Sequence, residues 1–186
     1  MSFSGPIREI IAGEGLVLKL LSEASAPALF RVINENRNVL RKWLPFVDNT
    51  WKINDTEIFI RSVLLSSGPK PDIVYEIWYQ DNFAGLIALK EVDRFNKRTE
   101  LGYWLDPEVQ GKGIMTTCCR CLIDFAFKKL KMHRLQIKVG IGNAPSARIP
   151  EKLGFRFEGI ERNGEKFSDH YIDIEVYSML REEWTD

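Results

Sequence analysis

The sequence predicts a mixed α/β domain, a twisted and mostly antiparallel sheet of about seven strands flanked by helices. Three observations point to it. Helix-type segments crowd the first third of the chain, β-branched and aromatic alternating segments fill its middle and end, and one long apolar-periodic run joins two of those alternating segments. A run of that kind is a crossover helix, and it makes the strands on either side of it parallel.

The elements follow in order. GLVLKLL, residues 15–21, is a short strand, and Ser25-Ala26-Pro27 then caps a helix that ends near Asn36. NVLRKWLPF forms a second short helix stopped around Pro45. Asn54-Asp55-Thr56-Glu57 has the form of a capping box for a third, IFIRSVLL, which Ser66-Ser67-Gly68-Pro69 closes. DIVYEIWY and FAGLIALKEV are strands joined by a turn at Gln80-Asp81-Asn82. RTELGYWL adds a third strand to this meander, with Leu101, Tyr103 and Leu105 on one face and Glu100, Gly102 and Trp104 on the other. From Ile114 to Lys131 a broad apolar stripe predicts the longest helix, with lysines at its C-terminal end as the dipole favours. His133 to Val139 alternates as a strand. A short helix after Gly142-Asn143-Ala144-Pro145 ends at Lys152-Leu153-Gly154, and FRFEGIE pairs with DHYIDIEVYSML through Asn163-Gly164 or a slightly longer loop.

Composition limits the function classes. A length of 186 residues suits one domain, expected to span 1–186, with a core that needs neither disulfides nor metals. Lysine plus arginine and aspartate plus glutamate number 26 each, so no net field draws the chain to nucleic acid or to an anionic membrane. No apolar run approaches the roughly 18 residues a spanning helix needs, and MSFSGPIREI lacks the order of a signal peptide, so the expected location is the cytoplasm. Cys118, Cys119 and Cys121 crowd one helix, which excludes a disulfide framework. Neither histidine, His133 or His170, stands at a zinc spacing, so no metal is expected and the cysteines read as core.

The junction DPEVQGKGIM, Asp106 to Met115, holds two glycines around a lysine where a strand turns into the longest helix. Bare backbone at Gly111 and Gly113 lets an anion approach the unpaired amides of a helix N-terminus, with Lys112 adding charge. The spacing fits neither a Walker loop, which needs four residues before Gly-Lys-Ser/Thr, nor a dinucleotide fingerprint, because Thr116 stands where a third glycine would be.

The whole constellation resembles the Gcn5-related N-acetyltransferase superfamily. Its acetyl-CoA loop, Gln/Arg-x-x-Gly-x-Gly/Ala, is matched here by Gln110-Gly111-Lys112-Gly113-Ile114-Met115. Its second signature is matched by N-A-P-S-A-R-I-P-E-K-L-G-F, Asn143 to Phe155. The resemblance covers about residues 14–184 and is nearest to the branch that acetylates the N-termini of ribosomal proteins. It implies a splayed fourth and fifth strand and acetyl-CoA as cosubstrate, bound by Leu105, Gln110, Gly111, Lys112, Gly113, Ile114, Met115 and Asn143. It also implies a primary amine acceptor, with a protein N-terminus foremost, and a homodimer. Two departures stand out. Met115 replaces the last Gly/Ala of the loop motif, which aims a side chain into the core. Pro150 occupies the place of a tyrosine that, in alanine-acetylating relatives, protonates the leaving thiolate. Ser146, three residues after Asn143, is then the remaining hydroxyl on that helix, at a position where the serine-acetylating branch uses one.

Acetyl transfer needs a base for the amine, and Glu100 is the first candidate because it sits on the strand before the loop beside the bare Gly102. Glu158 is the second. Each has a plainer role open to it: Glu100 as a cross-strand partner of Arg98 or Lys97, Glu158 as plain surface, and Ser146 and Asn143 as helix-capping residues. Trp43, Phe46, Trp51 and Trp104 are candidates for an acceptor groove or for core. Small amines such as a polyamine, amino sugar or antibiotic remain alternative acceptors, and a non-catalytic acyl-CoA-binding module is the alternative of another class.

Overall fold

The computed structural model describes residues 6–66 and 68–185. Eight strands form one sheet. They are β1 (Glu9–Gly13), β2 (Leu16–Leu20), β3 (Ile73–Tyr79), β4 (Asn82–Asp93), β5 (Arg98–Leu105), β6 (Arg134–Gly140), β7 (Arg156–Lys166) and β8 (Tyr171–Leu180), in the order β1-β2-β3-β4-β5-β6-β8-β7. Every neighbouring pair is antiparallel except β5–β6. The expected parallel crossover is therefore present, and so is a strand beyond the seven expected. The additional strand is β1: only Ile10 and Ala12 pack inward while Ile11 is 76% exposed, too few contacts for a periodic signal. Its support comes from the backbone ladder with β2.

Helices α1 (Ala26–Glu35), α2 (Arg37–Leu40), α3 (Ile53–Leu64), α4 (Ile114–Asp124) and α5 (Ala144–Lys152) cover the sheet. On one face α1 and α3 bury Leu29, Val32, Ile33 and Ile60 against Val74, Phe83, Leu86 and Trp104. On the other, α4 buries Met115, Cys118, Cys119, Leu122 and Ile123 against Leu101, Leu105, Leu135 and Ile137, with Ala147 and Ile149 of α5 at the margin. The cysteines are packing groups, as read from sequence, and burial pushes the Cys118 thiol up to about 12. Among the described residues no helix is long and apolar enough to cross a membrane.

Two local expectations need correction, and one with two readings is resolved. Helix α3 starts at Ile53 with Lys52 as its cap, and Asp55 accepts from the amides of Trp51 (2.8 Å) and Lys52 (3.0 Å), which is half of a capping box set two residues earlier than Asn54 suggested, since a lysine cap has no acceptor for the reciprocal bond. The helix from Ile114 gives way to a π-turn at Phe125–Lys129, with Leu130 N donating to Phe125 O. Of the two closures open for the last hairpin, the longer loop holds and Asn163-Gly164 does not close it. That pair forms a bulge between Glu161 and Glu165, and the strand runs on to Lys166 before turning, with Phe167 N donating to His170 O (2.8 Å).

Candidate active site

The site is built where β5 runs into α4 and parts from β6. The two strands pair only at Arg98–Arg134, Thr99–Leu135 and Glu100–Gln136; beyond that β5 continues to Leu105 without β6, which stays paired with β8 along its other edge from Arg134 to Gly140. This is the splay that the resemblance implied. Asp106 N donates to Ala84 O on β4, and His133 N donates to Lys97 O on the β6 side. Since backbone groups alternate along a strand, the amides of Leu101, Tyr103 and Leu105 face the gap rather than β4.

The loop from Asp106 to Gly113 is held from both ends. Asp106 accepts from Glu108 N (3.0 Å) and from Asn36 Nδ2 at the end of α1 (3.3 Å), and Gln110 Nε2 donates to Leu105 O (3.2 Å). Gly111 and Gly113 have φ of +77° and +78°. A Cβ on either would meet nothing within 4 Å, so backbone conformation, not crowding, favours glycine at both positions. Gly113 caps α4 with no side-chain bond, and the helical ladder begins with Thr117 N donating to Gly113 O (3.1 Å). The amides from Gly113 to Thr116 are thus left without helical acceptors. Ile114 and Met115 send their side chains into the core, so their contribution to the loop is backbone. Lys112 is exposed, its Nζ 5.6 Å from the centre of the Tyr79 ring.

Glu100 and Ser146 approach the gap from opposite faces of the sheet. Glu100 shares the face of Trp104, and Ser146 lies on α5, which packs beside Leu101 and Leu105. Glu100 pairs with neither Arg98 nor Lys97. Lys90 Nζ, opposite it on β4, donates to its Oε1 (2.7 Å), and Gln136 Nε2 donates to its Oε2 (3.3 Å). Burial works against the Lys90 charge, but the carboxylates around it, Glu100 first and then Glu165 and Asp72, together outweigh that and hold the ammonium above its ordinary range. Gly102 is bare because the Lys90 stem crosses it: a Cβ there would sit 2.8 Å from Lys90 Cδ. Asn143 caps α5, its Oδ1 accepting from Ser146 N (3.3 Å). The Ser146 hydroxyl has no hydrogen-bond partner among the described residues.

Glu158 is already engaged. It accepts from Arg134 Nη1 (2.8 Å) and Nη2 (2.6 Å) and from Ser178 Oγ (2.7 Å), and these bonds, the arginine's first, hold its carboxyl down at about 2. A carboxylate so satisfied is a poor proton acceptor at neutral pH. Glu158→Gln is expected to leave turnover intact and to lower stability at neutral pH. Because the folded pKa lies below the ordinary 4.5, the difference in Tm between the two proteins should persist above that value and vanish as pH falls toward about 2. Thermal melts across that window check it.

Of the four aromatic candidates, Trp104 is core, tilted against Phe83 at 6.3 Å between centroids. Trp43 lies against the end of β6, where a Cβ on Gly140 would stand 3.6 Å from its ring. Phe46 stacks on Phe59, and Trp51 is 68% exposed with the Arg37 guanidinium 4.3 Å over its ring. The residues that sequence reasoning passed over are Lys90, visible only through strand register, and Tyr103, whose hydroxyl crosses to α5 and donates to Ser146 O (3.1 Å).

A row of amides without helical acceptors at a helix N-terminus, beside a gap lined by further amides, suits an enzyme that holds a phosphorylated acyl carrier and exposes its acyl group to a nucleophile. The sequence profile described as Acetyltransferase (GNAT) domain matches residues 15–156, and the chain belongs to that family; it is an N-acetyltransferase. The protein named Putative ribosomal N-acetyltransferase YdaF, of Bacillus subtilis (strain 168), is 34% identical over 172 residues, covering 92% of this chain and 94% of that one. The Ribosomal-protein-serine acetyltransferase of Escherichia coli (strain K12) is 26% identical over 171 residues, covering 92% and 96%. Among solved structures, RimL, a ribosomal L7/L12 alpha-N-protein acetyltransferase in complex with coenzyme A, superposes with a TM-score of 0.86 at 25% identity, covering 92% of this chain and 97% of that one.

Proposed function

We propose that this enzyme moves an acetyl group from acetyl-CoA to the α-amine of a protein N-terminus, with a ribosomal protein as the acceptor. The observation that carries the reading is the continuity of the cradle with the gap: amides without helical acceptors from Gly113 to Thr116 lead to a parted strand pair flanked by Glu100 on one face and Ser146 on the other. The relatives named above support the acceptor class.

The thioester supplies an activated acetyl group. The chain supplies position, charge and proton transfer. The α4 amides and the exposed Lys112 hold the pyrophosphate, Asn143 keeps the start of α5 beside the pantetheine path, and Leu105 and Gln110 fix the loop that connects them. Amides of β5 that face the gap donate to the acetyl oxygen as charge gathers on it. Glu100, held in place by Lys90 and Gln136, takes the proton from the amine, directly or through water. The Ser146 hydroxyl donates to the departing sulfur from the other face. Exposed Trp43, Phe46 and Trp51 flank the acceptor side and give a polypeptide more to contact than a small amine would use.

Steady-state kinetics with acetyl-CoA tests the acceptor class. Peptides that start with Ser, Ala or Thr are compared with spermidine and an amino sugar. The reading expects kcat/KM for the best peptide to exceed that for either small amine by roughly tenfold or more. A preference for the small amine would replace the protein acceptor, and binding of acetyl-CoA without turnover on any amine would replace the enzyme with a binding module.

A further inference from the structure

Pro150 lies inside α5, four residues after Ser146, and is buried. In an α-helix the amide of residue 150 donates to the carbonyl of residue 146, and proline has no hydrogen to give. A carbonyl deprived of its helical donor at the edge of the core carries a desolvation cost unless something else donates to it. Here the something else is a phenol from the sheet: Tyr103 OH donates to Ser146 O at 3.1 Å. Tyr103 stands on β5 within the stretch that has parted from β6, its backbone facing the gap and its ring reaching across to α5. Burial keeps its phenol well above the ordinary range, so it stays a donor at any working pH.

We propose that Tyr103 is a positioning residue for Ser146, supplying the donor that Pro150 removes and so fixing the first turn of α5, and the Ser146 hydroxyl on it, against the gap in the sheet. The inference rests on the assignment of Ser146 made above. It explains how α5 tolerates a proline in its interior. The helix loses a backbone bond and is tethered instead to the strand that lines the reaction site.

The test is a cycle of Tyr103→Phe, Pro150→Ala and their combination, with Ser146→Ala as reference, each checked by circular dichroism for an unchanged fold. Tyr103→Phe removes one oxygen and should lower kcat roughly tenfold while KM for acetyl-CoA stays within about twofold. Pro150→Ala alone should stay near the parent. In the double variant the new Ala amide donates to Ser146 O, and most of the lost turnover should return. Parental turnover in Tyr103→Phe, or a double variant as slow as Tyr103→Phe, would overturn the proposal. If Ser146→Ala is slow and Tyr103→Phe is not, only the positioning role falls. If Ser146→Ala is as fast as the parent, the assignment of Ser146 falls, and the positioning role with it.

Discussion

Gly113→Val is expected to weaken acetyl-CoA binding by roughly a hundredfold, or about 2.7 kcal/mol, and Lys112→Ala by no more than about threefold. The first figure has two sources. Gly113 sits at φ +78° as the cap of α4, a conformation that costs a β-branched residue about 1–3 kcal/mol, so valine shifts the loop away from it. The added methyl groups also project into the open space before the amides of Gly113 to Thr116, where an anion must come within hydrogen-bond distance. Lys112 contributes an exposed, screened charge that already rests over the Tyr79 ring. Calorimetric titration with acetyl-CoA measures both variants. The reverse order would make the loop a charge site and not a backbone cradle.

Glu100→Gln is expected to lower kcat by roughly a hundredfold or more with the acetyl-CoA affinity unchanged. Glutamine keeps the shape of the side chain and an oxygen for Lys90 in place of the 2.7 Å contact, and a flip of the Gln136 amide lets its oxygen accept from the new NH2 in place of the 3.3 Å contact. What disappears is the proton acceptor on the face from which the amine arrives. Single-turnover kinetics separates this chemical step from binding. A variant that turns over like the parent would remove Glu100 from the mechanism and leave it as the cross-strand partner of Lys90.

The parts of this site that could be read from sequence are those written in consecutive residues. Gly111 and Gly113 are legible because a strand meeting a helix needs bare backbone only where the chain adopts positive φ or something approaches it, and the first condition holds at both positions. Asn143 is legible as a cap three residues before the bond it makes. The helix from Ile114 is legible from its stripe, although the π-turn at its end leaves no mark in the apolar spacing. The strand at Glu9–Gly13 stayed hidden because an edge strand with two inward residues draws on its neighbour's backbone. The ion pair of Glu100 depends on the register between β4 and β5, which sets Lys90 opposite it, whereas Arg98 and Lys97 lie on or next to Glu100's own strand and do not face it across the sheet. Tyr103 and Ser146 are 43 positions apart, and Tyr103 read only as one of three residues on a packed strand face. The proline at 150 was conspicuous, yet what compensates for it is visible only once the sheet has brought β5 beneath α5.

The most direct measurement is tandem mass spectrometry of a serine-initiated peptide that also contains an internal lysine, after incubation with the enzyme and acetyl-CoA. A single acetyl group on the α-nitrogen, with the lysine unmodified, is the result expected from an amine presented at the β5–β6 gap to Glu100. Acetylation of the lysine side chain, or an unmodified peptide under conditions where spermidine is acetylated, would contradict it.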